Sequence, residues 1–224
     1  MTELRTGGTR INPHQATIDF ETELCRYTGA KYAVAVNSCT MAILLAVAWH
    51  LRDQEQIDRG EWCEFKRTLI SIPRPGYISV PQAIVHAGGW PVFRDEEWSG
   101  HYQLQPLPVW DSARRFTSGM FMPGQMQCVS FHASKILGLE QGGAILHDSL
   151  EADSWFRRAR FDGRTPGIPP NKDPSIGTMI GWHCYMNPST AAMGLLRLYS
   201  LPRHNADLPN DDYPDLSTLP IYQL

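Results

Sequence analysis

The sequence predicts an α/β domain with a mostly parallel sheet flanked by helices. Short β-rich runs alternate with segments of helical spacing along most of the 224 residues, and this order is typical of strands joined by crossover helices. The apolar content of 42% and the net charge of −3 are those of a single soluble domain with a sizeable core. We expect one domain over residues 1–201 and an extended tail over residues 202–224.

The first elements are a helix, a strand and a second helix. Residues 20–27 have helical spacing and end at Gly29, a typical C-terminal cap. Tyr32–Val36 (YAVAV) is a short β-rich run. The apolar helix after it begins behind Asn37 and Ser38, and serine is a good capping residue. A strand, a tight turn and a helix in this order build a phosphate-binding site.

The alternation continues through the rest of the domain. Further strand-like runs are residues 69–72, 91–93, 107–110, 127–131 and 143–146. Helical patterns cover about residues 78–87, 150–160 and 188–201. The tail that follows is rich in Pro, Asp and Asn, so we expect an extended or partner-wrapping arm.

Composition argues against several classes of protein. No stretch approaches the roughly 20 apolar residues of a membrane span, and the first ten residues lack the apolar segment of a signal peptide, so we expect a cytoplasmic location. The five cysteines are far apart and form no C-x-x-C pair, which argues against a disulfide framework and a structural zinc site. The mildly acidic charge gives no reason to expect tight nucleic-acid binding, although a local basic face would permit it.

Lys135 is the strongest candidate for covalent chemistry. In residues 129–146 (VSFHASKILGLEQGGAIL) it comes just after an apolar strand, and a glycine pair opens the next strand. The chain has only four lysines against sixteen arginines, and the other three lie in charged or turn settings. A desolvated lysine with a lowered pKa is the side chain that condenses with aldehydes. The alternative is an ordinary surface lysine.

This segment resembles the S-F-H-x-x-K…G-G motif of the DegT/DnrJ/EryC1/StrS family, whose members are pyridoxal phosphate (PLP)-dependent aminotransferases that mostly act on nucleotide-linked keto-sugars. The resemblance implies the large domain of a fold-type I PLP-dependent transferase. It also implies that Lys135 holds the cofactor as a Schiff base and moves the substrate proton. Ser130 matches a phosphate ligand of the family.

Two other segments extend the resemblance. VWDSARR is similar to the family's E-D-A-A-Q, so Asp111 falls where a carboxylate pairs with the pyridine nitrogen, and Arg114 replaces the glutamine. Taken alone, Asp111 is more simply explained as a loop cap. NSCTMAI is similar to N-S-G-T-A-A, whose backbone amides hold the phosphate at a helix N-terminus. The matching positions are Ser38, Cys39, Thr40 and Met41, with cysteine in place of the glycine.

The last two matching segments supply an aromatic residue and a contact between subunits. Residues 73–95 match the family in register and put Tyr77 where an aromatic ring stacks over the cofactor, whereas an aromatic residue near a turn is otherwise as often core. Residues 181–198 are similar to G-Y-N-Y-R-M, and His183 replaces the asparagine that reaches the phosphate of the neighbouring subunit. The resemblance therefore implies a homodimer with a shared active site.

The resemblance runs from about residue 20 to residue 198 and describes a shortened protein, because the small domain that helps to close the site in the family is absent. Three hypotheses follow. The first is an aminotransferase that moves an amino group, with glutamate as the expected donor, to or from a sugar or nucleotide-linked substrate. The second is a PLP-dependent decarboxylase or lyase of phage type, whose lidless site remodels an amino-acid adduct on a nucleotide or nucleic acid. The third is a non-catalytic PLP-binding relative.

Overall fold

The computed structural model describes residues 12–52 and 67–223. The first eleven residues of the predicted domain and Cys63 lie outside the described residues. The helices are α1 (Gln15–Thr28), α2 (Cys39–Leu51), α3 (Ser79–His86), α4 (Leu150–Ala159) and α5 (Pro188–Ser200). The strands are β1 (Tyr32–Val36), β2 (Leu69–Pro73), β3 (Trp90–Arg94), β4 (Tyr102–Gln103), β5 (Val109–Asp111), β6 (Met126–Ser130) and β7 (Gly143–His147).

The predicted helix boundaries around β1 are confirmed, and each has a local cause. Helix α1 ends at Gly29, which adopts φ 83° and donates its backbone N–H to Cys25 O at 2.9 Å. Helix α2 begins after Ser38, whose Oγ accepts from Met41 N at 3.2 Å. Strand β1 has five residues, and α2 begins three residues after it ends. The start of α2 is therefore fixed at one edge of the sheet.

The sheet is mixed, and the prediction of mostly parallel strands was wrong. Its order is β1-β7-β6-β5-β4, and β5–β6 is its one parallel pair, whereas β1–β7, β7–β6 and β5–β4 are antiparallel. Strands β2 and β3 form a separate parallel pair. For two of the antiparallel pairs, the physical reason is a connection without a crossover helix. Residues 131–142 join β6 to β7 without a helix and the five residues 104–108 join β4 to β5, whereas a parallel pair needs a crossover that is usually a helix.

Two apolar layers cover the five-stranded sheet. Helices α2, α3 and α4 pack on one face, and α1 and α5 pack on the other. Strand β1 shows the division, since Val34 belongs to the first layer and Ala35 to the second. Helix α2 is apolar nearly all round because it is buried between the sheet and its neighbouring helices.

After α5 the C-terminal tail packs beside the segment that follows β5. Ser118 N donates to Arg203 O and Leu208 N donates to Arg114 O, each at 2.9 Å. Short 3-10 turns at Leu216–Thr218 and Pro220–Tyr222 follow. The arm predicted from composition therefore packs, within this chain, against residues near β5. Among the described residues, no helix is both long enough and apolar enough to cross a membrane.

Candidate active site

A cavity of about 350 Å³ lies where β5 and β6 end and α2 begins. Strands β5 and β6 are parallel, so their carboxyl ends meet at one edge of the sheet, the usual place for a ligand site in α/β folds. Most of the predicted site residues line this cavity together. They are Ser38, Cys39, Thr40, Tyr77, Asp111, Arg114, Ser130 and Lys135.

Hydroxyl groups surround the N-terminal end of α2. Thr40 Oγ1 lies 2.7 Å from Ser79 Oγ, and Ser130 Oγ accepts from His132 N at 3.4 Å. Together with the positive end of the helix dipole, these groups form an environment that favours an anion. Met41 does not line the cavity, and its amide already donates to Ser38 Oγ, so an anion at that amide would compete with the helix cap.

The start of α2 lies unusually close to the start of β7. A Cβ atom added to Gly143 would lie 2.5 Å from Cys39 N and 2.7 Å from Ser38 C. Only glycine fits here, and this gives the second glycine of the sequence pair a physical role. The close approach fixes the backbone of Ser38 and Cys39 against the sheet.

Asp111 presents a buried carboxylate to the cavity. Its Oδ1 accepts from Ala113 N at 2.9 Å, and its Oδ2 accepts from Tyr102 Oη at 2.9 Å. Burial raises the pKa of Asp111 above its ordinary value, although these hydrogen bonds and the positive charges of Lys135 and Arg114 act in the opposite direction. A cationic group bound in the cavity would therefore stabilise the ionised carboxylate.

Lys135 is half-buried at the opposite wall, in the turn after β6. Burial first, and then the positive charge of Arg114, lower the pKa of Lys135, while Asp111 acts to raise it. A lowered pKa increases the fraction of neutral amine, which is the nucleophilic form. Burial also raises the pKa of the Cys39 thiol well above its ordinary value, so Cys39 is a neutral wall of the cavity.

Two residues of the C-terminal tail also line the cavity, and sequence reasoning missed both. Tyr213 accepts a hydrogen bond from Lys135 Nζ at 3.3 Å, and Asp212 pairs with Arg114. The site expected to be without a lid is therefore covered in part by its own tail. Single apolar residues in an otherwise polar tail, such as Tyr213 and the buried Leu216, are the signal that could have indicated packing.

His183 lies outside the cavity of its own chain. Its side chain is 70% exposed, and its Nδ1 lies 3.0 Å from Asp162 Oδ2. The predicted contact is with the phosphate of a neighbouring subunit, so the role of His183 stays a prediction. Tyr77 does line the cavity and keeps 55% of its surface exposed.

The groups around the cavity suit a small, flat molecule with three chemical features. The hydroxyl-rich helix end suits an anion, the buried carboxylate suits a cationic ring nitrogen, and the lysine amine suits a carbonyl carbon. The exposed aromatic ring suits a planar system between these three points. Tyr102 is a further functional residue that sequence reasoning missed, because its hydrogen bond to Asp111 depends on a pairing of two very short strands.

Comparisons with known proteins identify a family and similar folds. The sequence profile of the DegT/DnrJ/EryC1/StrS aminotransferase family matches residues 1–122 and 119–208. The spore coat polysaccharide biosynthesis protein SpsC of Bacillus subtilis (strain 168) is 38% identical over 76 residues, which are 34% of this chain and 16% of SpsC.

Two solved structures have a similar fold. Helicobacter pylori PseC, an aminotransferase involved in the biosynthesis of pseudoaminic acid, gives a TM-score of 0.65 at 18% identity, over 90% of this chain and 60% of PseC. S. venezuelae DesV gives a TM-score of 0.62 at 19% identity, over 88% of this chain and 59% of DesV. The chain thus spans about three fifths of the length of these structures.

Proposed function

The chain belongs to the DegT/DnrJ/EryC1/StrS aminotransferase family, and from this premise we propose that it is a PLP-dependent aminotransferase acting on a sugar or nucleotide-linked substrate. Its fold is the fold-type I large domain expected from the sequence, in shortened form. The observation that carries the proposal is that Lys135, Asp111, Tyr77 and the start of α2 line one cavity.

The residues fit PLP at each of its functional groups. Ser38, Thr40 and Ser130 would hold the phosphate at the start of α2. Asp111 would hold the protonated pyridine nitrogen, and this cation would offset the burial that raises the carboxyl pKa. Lys135 Nζ would carry the cofactor covalently. Gly143 leaves room for the backbone at the phosphate end, because any side chain there would collide with Cys39 N.

PLP supplies an electron sink that stabilises negative charge on the substrate carbon next to the amino nitrogen. The chain's own residues do the rest. Lys135 Nζ, whose pKa is lowered, can take a proton from that carbon and return it at another position. Asp111 would pair with a protonated ring nitrogen, Tyr77 would restrict the tilt of a bound ring, and the hydroxyls at the start of α2 would hold the phosphate in place.

We test covalent attachment first. The protein is incubated with PLP and reduced with borohydride, and its peptides are analysed by mass spectrometry. A phosphopyridoxyl group on Lys135 is expected, and it should be absent from Lys135→Ala and retained in Lys172→Ala, which changes an exposed lysine. A wild-type protein that takes up no PLP would refute the proposal.

The reaction type is tested in a half-reaction that needs no sugar. The PLP-loaded protein is mixed with glutamate, and 2-oxoglutarate and carbon dioxide are quantified. One equivalent of 2-oxoglutarate per site supports amino transfer. Release of carbon dioxide from an amino-acid substrate would instead favour the decarboxylase hypothesis. PLP attachment without turnover of glutamate, other amino acids or nucleotide-linked amino sugars would favour a non-catalytic relative.

We further propose a homodimer in which His183 contacts the phosphate held by the partner. The exposed imidazole outside its own cavity supports this arrangement, and two-fold dimers are the commonest oligomers. Mixed dimers test it directly. A Lys135→Ala subunit paired with a His183→Ala subunit contains one site with both residues intact, so tight PLP attachment should reappear on mixing. A monomer in light scattering, or no recovery on mixing, would contradict the proposal.

A further inference from the structure

The tail crosses the mouth of the cavity and is anchored on both sides of it. We call residues 207–216 the C-terminal strap. On the β5 side, Arg115 Nε donates to Asp207 Oδ1 at 2.9 Å, and Asn210 Nδ2 donates to Trp98 O at 2.9 Å. These contacts hold the first half of the strap against two segments, the loop after β5 that also carries Arg114 and the connection between β3 and β4.

The second half of the strap is fixed beside Tyr77. Gly76 N donates to Pro214 O at 3.3 Å, and Leu216 N donates to Arg74 O at 2.9 Å. The Leu216 side chain is fully buried. Burial of a leucine side chain removes apolar surface from water and is stabilising, so this end is a packed anchor. The strap therefore spans the cavity from one wall to the other.

Tyr213 lies at the middle of this span and faces Lys135. Lys135 Nζ donates to Tyr213 Oη at 3.3 Å, and the Arg114 guanidinium lies 4.1 Å from the centre of the Tyr213 ring. The ring centroids of Trp98 and Tyr77 are 6.0 and 6.1 Å from that of Tyr213. The Trp98 ring is nearly parallel to that of Tyr213 and the Tyr77 ring is tilted to it, at interplanar angles of 26° and 46°. These two rings and the cation restrict the Tyr213 ring to one position.

We propose that the C-terminal strap is a fixed intrachain lid of this cavity and that Tyr213 is a positioning residue that orients and shields Lys135 Nζ. The effect on amino transfer rests on the proposed function. The effect on the lysine itself does not, because it requires no cofactor. The strap supplies a cover for the cavity from the same chain.

The electrostatics around Lys135 agree with this role. Burial is the largest cause of its lowered pKa, and the Tyr213 ring contributes to that burial; Arg114, the second cause, is held in place by Pro209 O and Asp212 of the strap. Removing the ring would let water reach Nζ, while Arg114 would keep its contacts with Pro209 O and Asp212. Better hydration of Nζ favours the charged amine. The charged and titratable groups that face Lys135 are Arg114, Asp111, Cys39, Asp212 and Tyr213.

The test measures Lys135 in the full chain without cofactor. The protein is labelled with formaldehyde and cyanoborohydride from pH 6 to pH 11, and methylation of each lysine peptide is quantified. The exposed Lys31 and Lys172 serve as internal references. We expect the wild-type labelling midpoint of Lys135 to lie below theirs, and Tyr213→Ala to raise it by about 0.5–1 pH unit. Tyr213→Phe keeps the ring, so its midpoint should stay at or below the wild-type value.

The second readout is the rate at which PLP attaches to Lys135. Tyr213→Phe loses one hydrogen bond, worth about 1 kcal/mol, and should slow attachment roughly fivefold. The control is Tyr222→Phe, which removes from the same tail a hydroxyl that has no hydrogen-bond partner among the described residues, and it should change neither readout. Equal labelling midpoints of Lys135 in wild type and Tyr213→Ala would overturn the proposal. Faster PLP attachment in Tyr213→Ala would also overturn it, because it would show that Tyr213 blocks access to Lys135. Shifted midpoints without PLP attachment in the wild type support the strap and refute the proposed function.

Discussion

Tyr102 Oη lies 2.9 Å from Asp111 Oδ2 and donates a hydrogen bond to it. Both residues are buried, with exposures of 2% and 6%. Ala113 N occupies the other carboxylate oxygen. The carboxylate is therefore held in one orientation toward the cavity by a side chain on β4 and a backbone amide after β5. This support is present before any ligand binds, which is the arrangement expected of a preorganised site.

Tyr102→Phe is expected to lower the free energy of unfolding more at pH 8 than at pH 5. The change removes a donor from a buried carboxylate, which costs about 1.5–3 kcal/mol while that group is ionised. Burial already raises the pKa of Asp111, and the variant should raise it further. Stability that depends on the protonated acid is present at low pH and is lost as pH rises through the folded pKa. Urea unfolding of the cofactor-free protein measures the difference. Tyr222→Phe is the control, and an equal loss at both pH values would contradict the argument.

The local parts of the site could be predicted from the sequence because their signals are local. The cap at Ser38 and the placement of Lys135 behind β6 depend on neighbours within a few residues. Helix and strand boundaries around β1 were predicted for the same reason. These local signals put the start of α2 and the Lys135 amine at one cavity without any knowledge of the wider topology.

The long-range parts could not be predicted in this way. The prediction of strand direction failed because alternating helix and strand patterns do not distinguish a parallel crossover from an antiparallel connection that carries no helix. Tyr213 reaches Lys135 across 78 positions of sequence, and a tail rich in Pro and Asp is ordinarily unpacked. Its fixed position depends on separate contacts, such as the Arg115–Asp207 pair, that no short sequence pattern encodes.

Glu21→Gln is expected to lower the free energy of unfolding by about 3–5 kcal/mol, because it removes one partner of a buried ion cluster. Glu21 Oε2 accepts from Arg157 at 2.7 Å and Oε1 accepts from Ala35 N at 2.9 Å, and Arg160 also pairs with it. Burial acts to raise the pKa of Glu21, but the two arginines lower it overall.

The pH dependence of this loss has a definite sign. Since the folded pKa of Glu21 is depressed, its stabilisation is present above the unfolded pKa and is lost as pH falls through the folded one. Denaturant unfolding between pH 3 and pH 7 should show the wild type approaching the variant at the acid end. The control is Glu23→Gln, which breaks the surface pair with Arg26 and should cost less than about 1 kcal/mol. Equal effects of the two substitutions would show that the buried cluster is not structurally important.

Gly143→Ala is expected to impair PLP binding by at least about tenfold and to cost roughly 1–3 kcal/mol of stability, since its Cβ would lie 2.5 Å from Cys39 N. Either β7 or the start of α2 must move, and the phosphate end of the cavity moves with it. Gly124→Ala is a matched control, because Gly124 has φ 74° and the described part of the chain places no heavy atom within 4 Å of its added Cβ. The Gly124→Ala variant should lose about 1 kcal/mol of unfolding free energy from backbone strain alone and should bind PLP with the wild-type affinity. An absorbance titration with PLP and urea unfolding measure both effects, and unchanged PLP affinity in Gly143→Ala would count against the phosphate assignment.

Asp111→Asn is expected to separate cofactor binding from chemistry. Asparagine has nearly the same shape, and its Oδ1 can still accept from Ala113 N. Without cofactor the variant should be as stable as the wild type, or more stable, at pH 8, because the raised pKa of Asp111 means that ionising the buried acid costs stability above that pKa. PLP should then stabilise the wild type more than the variant, since only the wild type offers a charge to the pyridine nitrogen.

The kinetic consequence is larger than the binding one. The charge of Asp111 matters most when electron density moves into the ring, so the glutamate half-reaction of Asp111→Asn should slow by roughly 100-fold or more, as when a group directed at the transition state is removed. Ser130→Ala and Thr40→Val remove hydroxyls that we propose contact the phosphate, and the charge of the phosphate does not change during the reaction. These variants should therefore weaken PLP affinity and leave the rate at saturating PLP within a few-fold of wild type. Single-turnover absorbance traces at saturating PLP measure all three variants. A wild-type rate in Asp111→Asn would show that another group is the partner of the pyridine nitrogen.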